Sequence, residues 1–229
     1  DIYSLSPTPT SLGSPMNGTA RPTFTHYRTA PTAVDTIIIA DGGDIQKIQS
    51  GTASGLGGTS KQAKFVTAMD TRSILAGYDD LGFMWSATDN AESYPAANFN
   101  YVLGGSEGFS EKIEMMKHYN RELYFWKSRS FEVWNNVGGT AVFARRLLRD
   151  IGTEAGHSVV QANGTFYWLG HDWEFYRIEG SSAMRLGSGV ISFADEIRTL
   201  TDRNDMYGFH FDKEHLIRWF SPVHKKTYT

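Results

Sequence analysis

Residues 122–134 read Glu-Leu-Tyr-Phe-Trp-Lys-Ser-Arg-Ser-Phe-Glu-Val-Trp. It begins with an apolar and aromatic segment, passes a polar turn at 127–129 and continues as a second aromatic segment. Short runs rich in aromatic and β-branched residues, with a polar turn between them, are typical of an antiparallel hairpin. The stretch therefore predicts two paired strands.

The same pattern returns along the chain, at 36–44, 73–85 and 165–176 and more loosely at 205–219. Successive turns lie roughly 40 to 50 residues apart, which is the period of a propeller blade. We therefore predict an all-β fold, a β-propeller-like array of short antiparallel hairpin blades, complete or incomplete. Residues 110–118 and 192–200 have helical spacing and are expected to be minor helices on this fold.

Composition excludes several classes of function. The chain of 229 residues contains no cysteine, so disulfides, thiolate metal sites and cysteine nucleophiles are excluded. The net charge of −3 indicates no general attraction to nucleic acid. No apolar run is long enough to predict a membrane-spanning segment.

The N-terminal stretch differs in composition from the rest of the chain. Residues 1–32 are rich in Ser, Thr and Pro, which favours an extended arm, either a mobile tail or a segment that lies along a neighbouring subunit. Residues 33–229 are expected to form the propeller-like domain. Because the first residue is Asp1, we expect the chain to be processed or to be part of a longer protein.

Polar residues at the turns leave chemical alternatives open. His171 and Asp172 share a turn and could orient a metal or polarise a base, or Asp172 could serve backbone geometry alone. Residues 41–44 and the pair Asp79 and Asp80 could offer oxygen ligands to calcium, but the chemistry of hairpin turns explains them better. We predict no catalytic residue, no metal and no cofactor.

A glycine-rich stretch at 50–60 is a further candidate. It has the look of a phosphate-binding loop, but it lacks the Gly-Lys-Ser/Thr ending, and we predict a plain solvent loop.

Three arginines form a small basic cluster: Arg145, Arg146 and Arg149. They could face phosphates, or they could form an interface edge together with acids such as Asp150 and Glu154. We favour the second interpretation and name the three arginines as candidate subunit contacts.

The quoted stretch also resembles a known motif. Residues 123–134 are similar to a hairpin of podovirus-type phage tail proteins, in which Leu-Tyr-x-Phe is followed by Ser-Ile-Glu-Val-Trp. Further segments fit the same family in the same order, over roughly residues 35–229: 86–94, 143–145, 151–160, 165–172, 175–180 and 184–191. The chain thus resembles the packaged-DNA-stabilisation, or tail hub and nozzle, family of short-tailed phages. Phe131 replaces an aliphatic residue, and residues 186–188 depart from the family's Ile-Ser-Thr; both changes concern packing.

The resemblance implies a structural virion protein and not an enzyme. Members form a ring of identical subunits below the portal and adaptor proteins, and tail fibres or a needle are further partners. The ring closes the DNA channel, retains the packaged genome and lets genomic DNA pass at ejection without sequence-specific binding. The implied location is the virion tail, assembled in the host cytoplasm.

Two other functions remain as alternatives. A carbohydrate-binding propeller, or adhesin, would stack Trp173 beside Asp172, or Trp85 near Asp89 and Asn90, on sugar rings. A propeller glycan hydrolase would need two carboxylates around one pocket, and the spacing of the acids selects no such pair.

Overall fold

The computed structural model describes residues 2–4, 10–13, 16–28, 34–57, 62–103, 111–139, 142–187 and 191–229. Over these residues the chain is nearly all β, and its strands form five sheets that follow one another along the sequence. The predicted all-β, β-propeller-like array of short antiparallel blades is confirmed. Contacts group the chain into two units, Asp1–Leu103 with Met116–Leu123, and Gly104–Met115 with Tyr124–Thr229.

The first sheet has six strands in the order β1-β2-β6-β5-β4-β3. They are β1 (Ile2–Ser4), β2 (Thr10–Gly13), β3 (Thr23–Arg28), β4 (Asp35–Ala40), β5 (Gln46–Gln49) and β6 (Thr52–Gly55). Neighbours pair antiparallel except β2 and β6, which meet in a short parallel bridge.

The prediction of a separate arm over residues 1–32 is wrong for the described part of that stretch. β3 pairs along its whole length with β4, so the boundary predicted at residue 32 is not a structural boundary. Tyr27 is buried, and its hydroxyl donates to the carbonyl oxygen of Thr71 at 2.9 Å. The cause is the alternation of Thr with aromatic residues in β3, because threonine in such a pattern favours a strand as readily as a loop.

The prediction for the glycine-rich stretch is wrong in part. Thr52–Gly55 forms β6 and pairs with β5, where a solvent loop was expected. Residues 58–60 of that stretch lie outside the described residues.

The second and third sheets have four strands each, in the orders β10-β9-β8-β7 and β11-β12-β13-β14. The strands are β7 (Phe65–Met69), β8 (Arg72–Ala76), β9 (Gly82–Trp85), β10 (Phe99–Tyr101), β11 (Ile113–Tyr119), β12 (Glu122–Lys127), β13 (Phe131–Asn136) and β14 (Phe143–Arg149). The quoted stretch thus forms β12, its turn and most of β13.

The helix predicted at 110–118 is wrong, because Ile113–Tyr119 is a strand. Ile113 and Met115 are both buried with the half-buried Glu114 between them, which is the two-residue alternation of a strand. Burial of this alternating pair prevails over the three-residue spacing on which the helix prediction depended.

The last two sheets have the orders β15-β16-β17-β18 and β19-β20-β21. Their strands are β15 (Val160–Ala162), β16 (Thr165–Leu169), β17 (Phe175–Glu179), β18 (Ser182–Arg185), β19 (Tyr207–Phe211), β20 (Leu216–Ser221) and β21 (Lys226–Tyr228). Helix α1 (Ile191–Arg198) confirms the helix predicted at 192–200.

Each unit has its own buried cluster of apolar side chains. In the first, Ile38, Leu75 and Tyr94 belong to one cluster. In the second, Trp168 makes edge-on contacts with Trp126 and Phe131, at ring-centre distances of 5.9 and 5.6 Å. Large aromatic rings in such arrangements stabilise a core beyond the area that they bury.

A glycine and a tryptophan bring β15 and β19 close together. A Cβ atom at Gly208 would overlap the side chain of Val160, so only glycine fits there without a shift. The indole Nε1 of Trp219 donates to the carbonyl oxygen of Ser158 at 2.9 Å, within the protein interior.

Candidate functional site

The three arginines named from the sequence all lie on β14, the last strand of the third sheet. Arg145 and Arg146 are exposed, and Arg149 is half-buried. We call Arg145, Arg146 and Arg149 the basic edge. A positively charged outer strand of this kind is a surface that an acidic partner can meet.

Contacts within the protein orient the basic edge. A guanidinium nitrogen of Arg145 lies 3.9 Å from Oε2 of Glu132, and Nε of Arg149 donates to the carbonyl oxygen of Ser181 at 2.8 Å. Arg146 also interacts within the chain. Contacts with neighbouring residues therefore orient the side chains of Arg145 and Arg149.

Behind the basic edge lies a buried ion pair. Nζ of Lys127 is 3.0 Å from Oε1 of Glu132, and the two side chains are 1% and 0% exposed. The indole Nε1 of Trp134 donates to Oε2 of Glu132 at 2.9 Å. Each carboxylate oxygen thus has a donor, which makes Glu132 a structural group of the hairpin and not a free general base.

Glu174 is a second carboxylate enclosed by cations. Its side chain is 7% exposed, and Oε1 lies 2.7 Å from Arg185 and 2.6 Å from Arg198. Arg198 also donates to the carbonyl oxygen of Asp172 at 3.2 Å. Through these bonds the last turn of α1 is joined to the fourth sheet.

The turn at His171 and Asp172 serves backbone and side-chain geometry. Oδ1 of Asp172 accepts from the backbone N–H of Glu174, and Oδ2 accepts from the hydroxyl of Tyr176 at 2.7 Å. Burial, together with the hydrogen bond to Asp172 and its negative charge, raises the pKa of the Tyr176 phenol. Within the described ranges, no cluster of three or more histidines and acids is arranged to bind a metal ion.

The acids at 41–44 also make turn contacts. Asp41 accepts from the backbone N–H groups of Gly18 and Gly43, at 2.9 and 3.0 Å. Hydrogen bonds from Gln62 and Asn17 hold the pKa of Asp44 below its ordinary value. This arrangement agrees with the chemistry of hairpin turns and not with a calcium loop.

The two tryptophans considered for sugar stacking are covered, Trp85 almost wholly and Trp173 on one face. Trp85 is 4% exposed and lies inside the second sheet. The guanidinium of Arg203 lies 4.5 Å from the ring centre of Trp173 and covers one of its faces. Trp85 is therefore closed to a sugar ring, and one face of Trp173 is occupied by Arg203.

Sequence reasoning missed the two enclosed carboxylates and an aromatic pocket around Tyr78, Phe99 and Tyr101. The signal for Glu132 was its position between the buried residues Phe131 and Val133. The signal for the pocket was the pair of aromatic residues two positions apart on one short strand.

None of the helices in the described residues has the length and apolar character to cross a membrane. No protein-family model matches the chain, and no curated protein matches its sequence.

The chain does resemble solved structures. One is BamB from Moraxella catarrhalis, with 8% identity and a TM-score of 0.50, over 85% of this chain and 57% of that chain. Another is the extracellular domain of the hybrid two-component system BT4673 from B. thetaiotaomicron, with 10% identity and a TM-score of 0.51, over 85% of this chain and 25% of that chain. The chain therefore spans about half of the first and a quarter of the second. At such identities the likeness shows the fold alone. Neither is a phage protein, and the resemblance to tail proteins stays a prediction.

Proposed function

We propose that this protein is a structural component of a short-tailed phage, a subunit of the tail hub or nozzle ring below the portal and adaptor. In this role copies of the chain close the DNA channel, retain the packaged genome and allow its ejection. It acts by assembly in the virion tail and not as an enzyme.

One observation carries the proposal: the segments that resemble the tail family follow the order of the blades. Residues 123–134 form the β12–β13 hairpin, 165–172 form β16 with its turn, and 175–180 include β17. The polar groups inside these segments contact one another, as Lys127 with Glu132 and Asp172 with Tyr176. Segments whose polar side chains bond to one another support a structural role for the protein.

Charge supports assembly with copies of the same chain. The chain has a net charge of −3, while Arg145 and Arg146 place positive charge on an exposed outer strand. A basic edge that meets an acidic surface of the next subunit is a head-to-tail contact, and such contacts form rings when the rotation closes. The overall negative charge also disfavours tight binding to DNA phosphates, which agrees with free passage of DNA.

Electron microscopy of the purified protein, alone and mixed with the phage's portal–adaptor complex, tests the proposal. A symmetric ring that caps the channel is the expected result. The double variant Arg145→Glu and Arg146→Glu should lose the ring, whereas Arg177→Glu, at a half-buried arginine on β17, should keep it. Isolated monomers of the wild-type protein in both samples would overturn the proposed function.

A further inference from the structure

A pocket lies at the outer strand of the second sheet, away from the basic edge in sequence and wholly within the first unit. Its volume is about 430 Å³, and its lining includes Tyr78, Asp79, Met84, Tyr94, Phe99 and Tyr101. A volume of a few hundred Å³ with aromatic walls and few polar groups is typical of a binding pocket.

The aromatic wall is concave. The ring of Phe99 lies 5.9 Å from that of Tyr78 at an angle of 53°, and 4.5 Å from that of Tyr101 at 84°. Tyr101 is 42% exposed, and Met84 and Tyr94 are buried beneath. The hydroxyl of Tyr94 is bonded to that of Ser73 at 2.6 Å, which keeps its ring in place. Rings inclined to one another present faces to a ligand from more than one side.

Asp79 gives the pocket its charge. The backbone N–H groups of Leu81 and Gly82 donate to Oδ1 of Asp79, at 3.2 and 2.6 Å, which fixes the carboxylate at the turn. Both bonds use the same oxygen, Oδ1, and the Asp79 side chain is exposed. Asp79 is the charged residue among the described residues that line the pocket. Lys64, the cation close to this turn, is paired with Asp80 at 2.6 Å.

The charge of Asp79 also acts on the neighbouring Tyr78 phenol. Burial, then the charge of Asp79 and the neighbouring Tyr101, raise the pKa of the Tyr78 phenol.

We infer that this pocket binds the arginine side chain of a partner protein, with the guanidinium over the aromatic rings and paired with Asp79. A guanidinium is planar and weakly hydrated, stacks on aromatic faces and also forms hydrogen bonds with a carboxylate. A neutral sugar would stack on the rings and donate hydroxyl groups to Asp79 but would bring no charge to pair with it, and an aliphatic side chain would leave the carboxylate without a partner. This inference stands independently of the proposed tail function.

The test is an NMR titration of the whole protein with N-acetyl-arginine amide, followed through the backbone signals of residues 78–82 and 99–101. The matched probe is N-acetyl-citrulline amide, which has nearly the same shape and no charge. We expect saturable shifts with arginine, and binding weaker by about tenfold with citrulline. N-acetylglucosamine is the third probe, and it should not saturate these signals.

Variants connect the result to the pocket. Asp79→Asn removes the charge but keeps an oxygen for the Leu81 and Gly82 N–H groups, so it should weaken arginine binding by about fivefold without loss of fold. Asp35→Asn removes an exposed carboxylate on β4 that does not line the pocket and should leave binding unchanged. Tyr101→Phe should keep binding, and Tyr101→Ala should reduce it.

Several results would overturn the inference. These are equal binding of arginine and citrulline, unchanged binding in Asp79→Asn, tighter binding of the sugar, or no saturable shift up to the solubility limit of the arginine probe.

Discussion

Nζ of Lys127 and Oε1 of Glu132 lie 3.0 Å apart across a single hairpin turn, and water reaches almost none of either side chain. A buried ion pair of this kind costs desolvation energy, which its Coulomb attraction and added hydrogen bonds offset only when the geometry is good. The bond from Trp134 to the second oxygen of Glu132 supplies such an addition.

Breaking this pair should strongly destabilise the protein. We expect Lys127→Met to lower the free energy of unfolding by about 3–5 kcal/mol, because the buried Glu132 would lose its close cation and keep the more distant Arg145, 3.9 Å away. The double variant Lys127→Met and Glu132→Gln should recover part of the loss, since the amide oxygen of the introduced glutamine can still accept from Trp134. Urea denaturation of the single and double variants measures both effects. A loss below about 1 kcal/mol in Lys127→Met would contradict the importance of the pair.

The aromatic cluster around Trp168 should be the most sensitive apolar site. We expect Trp168→Ala to cost about 3–5 kcal/mol, because it leaves a cavity against Trp126 and Phe131. Trp168→Phe should cost less, since it keeps a ring in the cluster. Phe24→Ala, a change at a side chain that is 74% exposed, is the control and should have little effect. Chemical denaturation provides the comparison, and equal losses at Trp168 and Phe24 would rule out the cluster as a core.

The hairpin pattern was sufficient to predict the blades because aromatic segments and polar turns are local signals. The structure contains the strands of every hairpin that the repeat predicted. It also contains a helix where one was predicted at 192–200. The failures at β3, β6 and β11 have a common physical cause. In each case pairing with the adjacent strand along the chain prevails over the composition of the segment, which taken alone favoured a loop or a helix.

Glu174 should stabilise the attachment of α1. We expect Glu174→Gln to lower the free energy of unfolding by about 1–2 kcal/mol, because Arg185 and Arg198 would lose their shared charge partner while both remain partly solvated. Amide hydrogen exchange at Ala194 and Ile197 should become faster. The control is Glu179→Gln, which changes the exposed pair with Arg177 and should leave exchange in α1 unaltered. If the two variants behave alike, the attachment does not depend on Glu174.

Asp202 should make stability depend on pH in the acid range. Burial alone would raise the pKa of its carboxyl, but hydrogen bonds from the Val223 N–H and the Ser221 hydroxyl outweigh that effect, so the pKa lies below its ordinary value of 3.8. A carboxyl whose pKa is lower in the folded than in the unfolded protein stabilises the fold at a pH above its unfolded pKa. This contribution is lost as the pH falls through its folded pKa.

The expected result is a loss of stability below about pH 4 that is smaller in Asp202→Asn than in the wild type. Urea unfolding over a series of pH values measures it. Asp44→Asn is the comparison, since the pKa of Asp44 is also lowered but its carboxylate is in solvent. Identical acid profiles of the wild type and Asp202→Asn would contradict the prediction.

The candidate sites were harder to predict from the sequence than the blades. The three arginines were found because they are close in sequence, and the structure places all of them on one strand. The partners of Glu174 come from β18 and α1, 11 and 24 positions further along the chain, and no pattern in the sequence connects these residues. The aromatic pocket likewise combines a turn with a strand that begins about 20 residues later.

The close approach at Gly208 and the bond from Trp219 to Ser158 have a consequence for how the molecule opens. Because β15 and β19 have no space for a larger side chain between them, neither of the last two sheets can loosen without exposing the other's interior. These two sheets should therefore behave as one cooperative unfolding unit, and the slowest amides of both should exchange with the same free energy of opening.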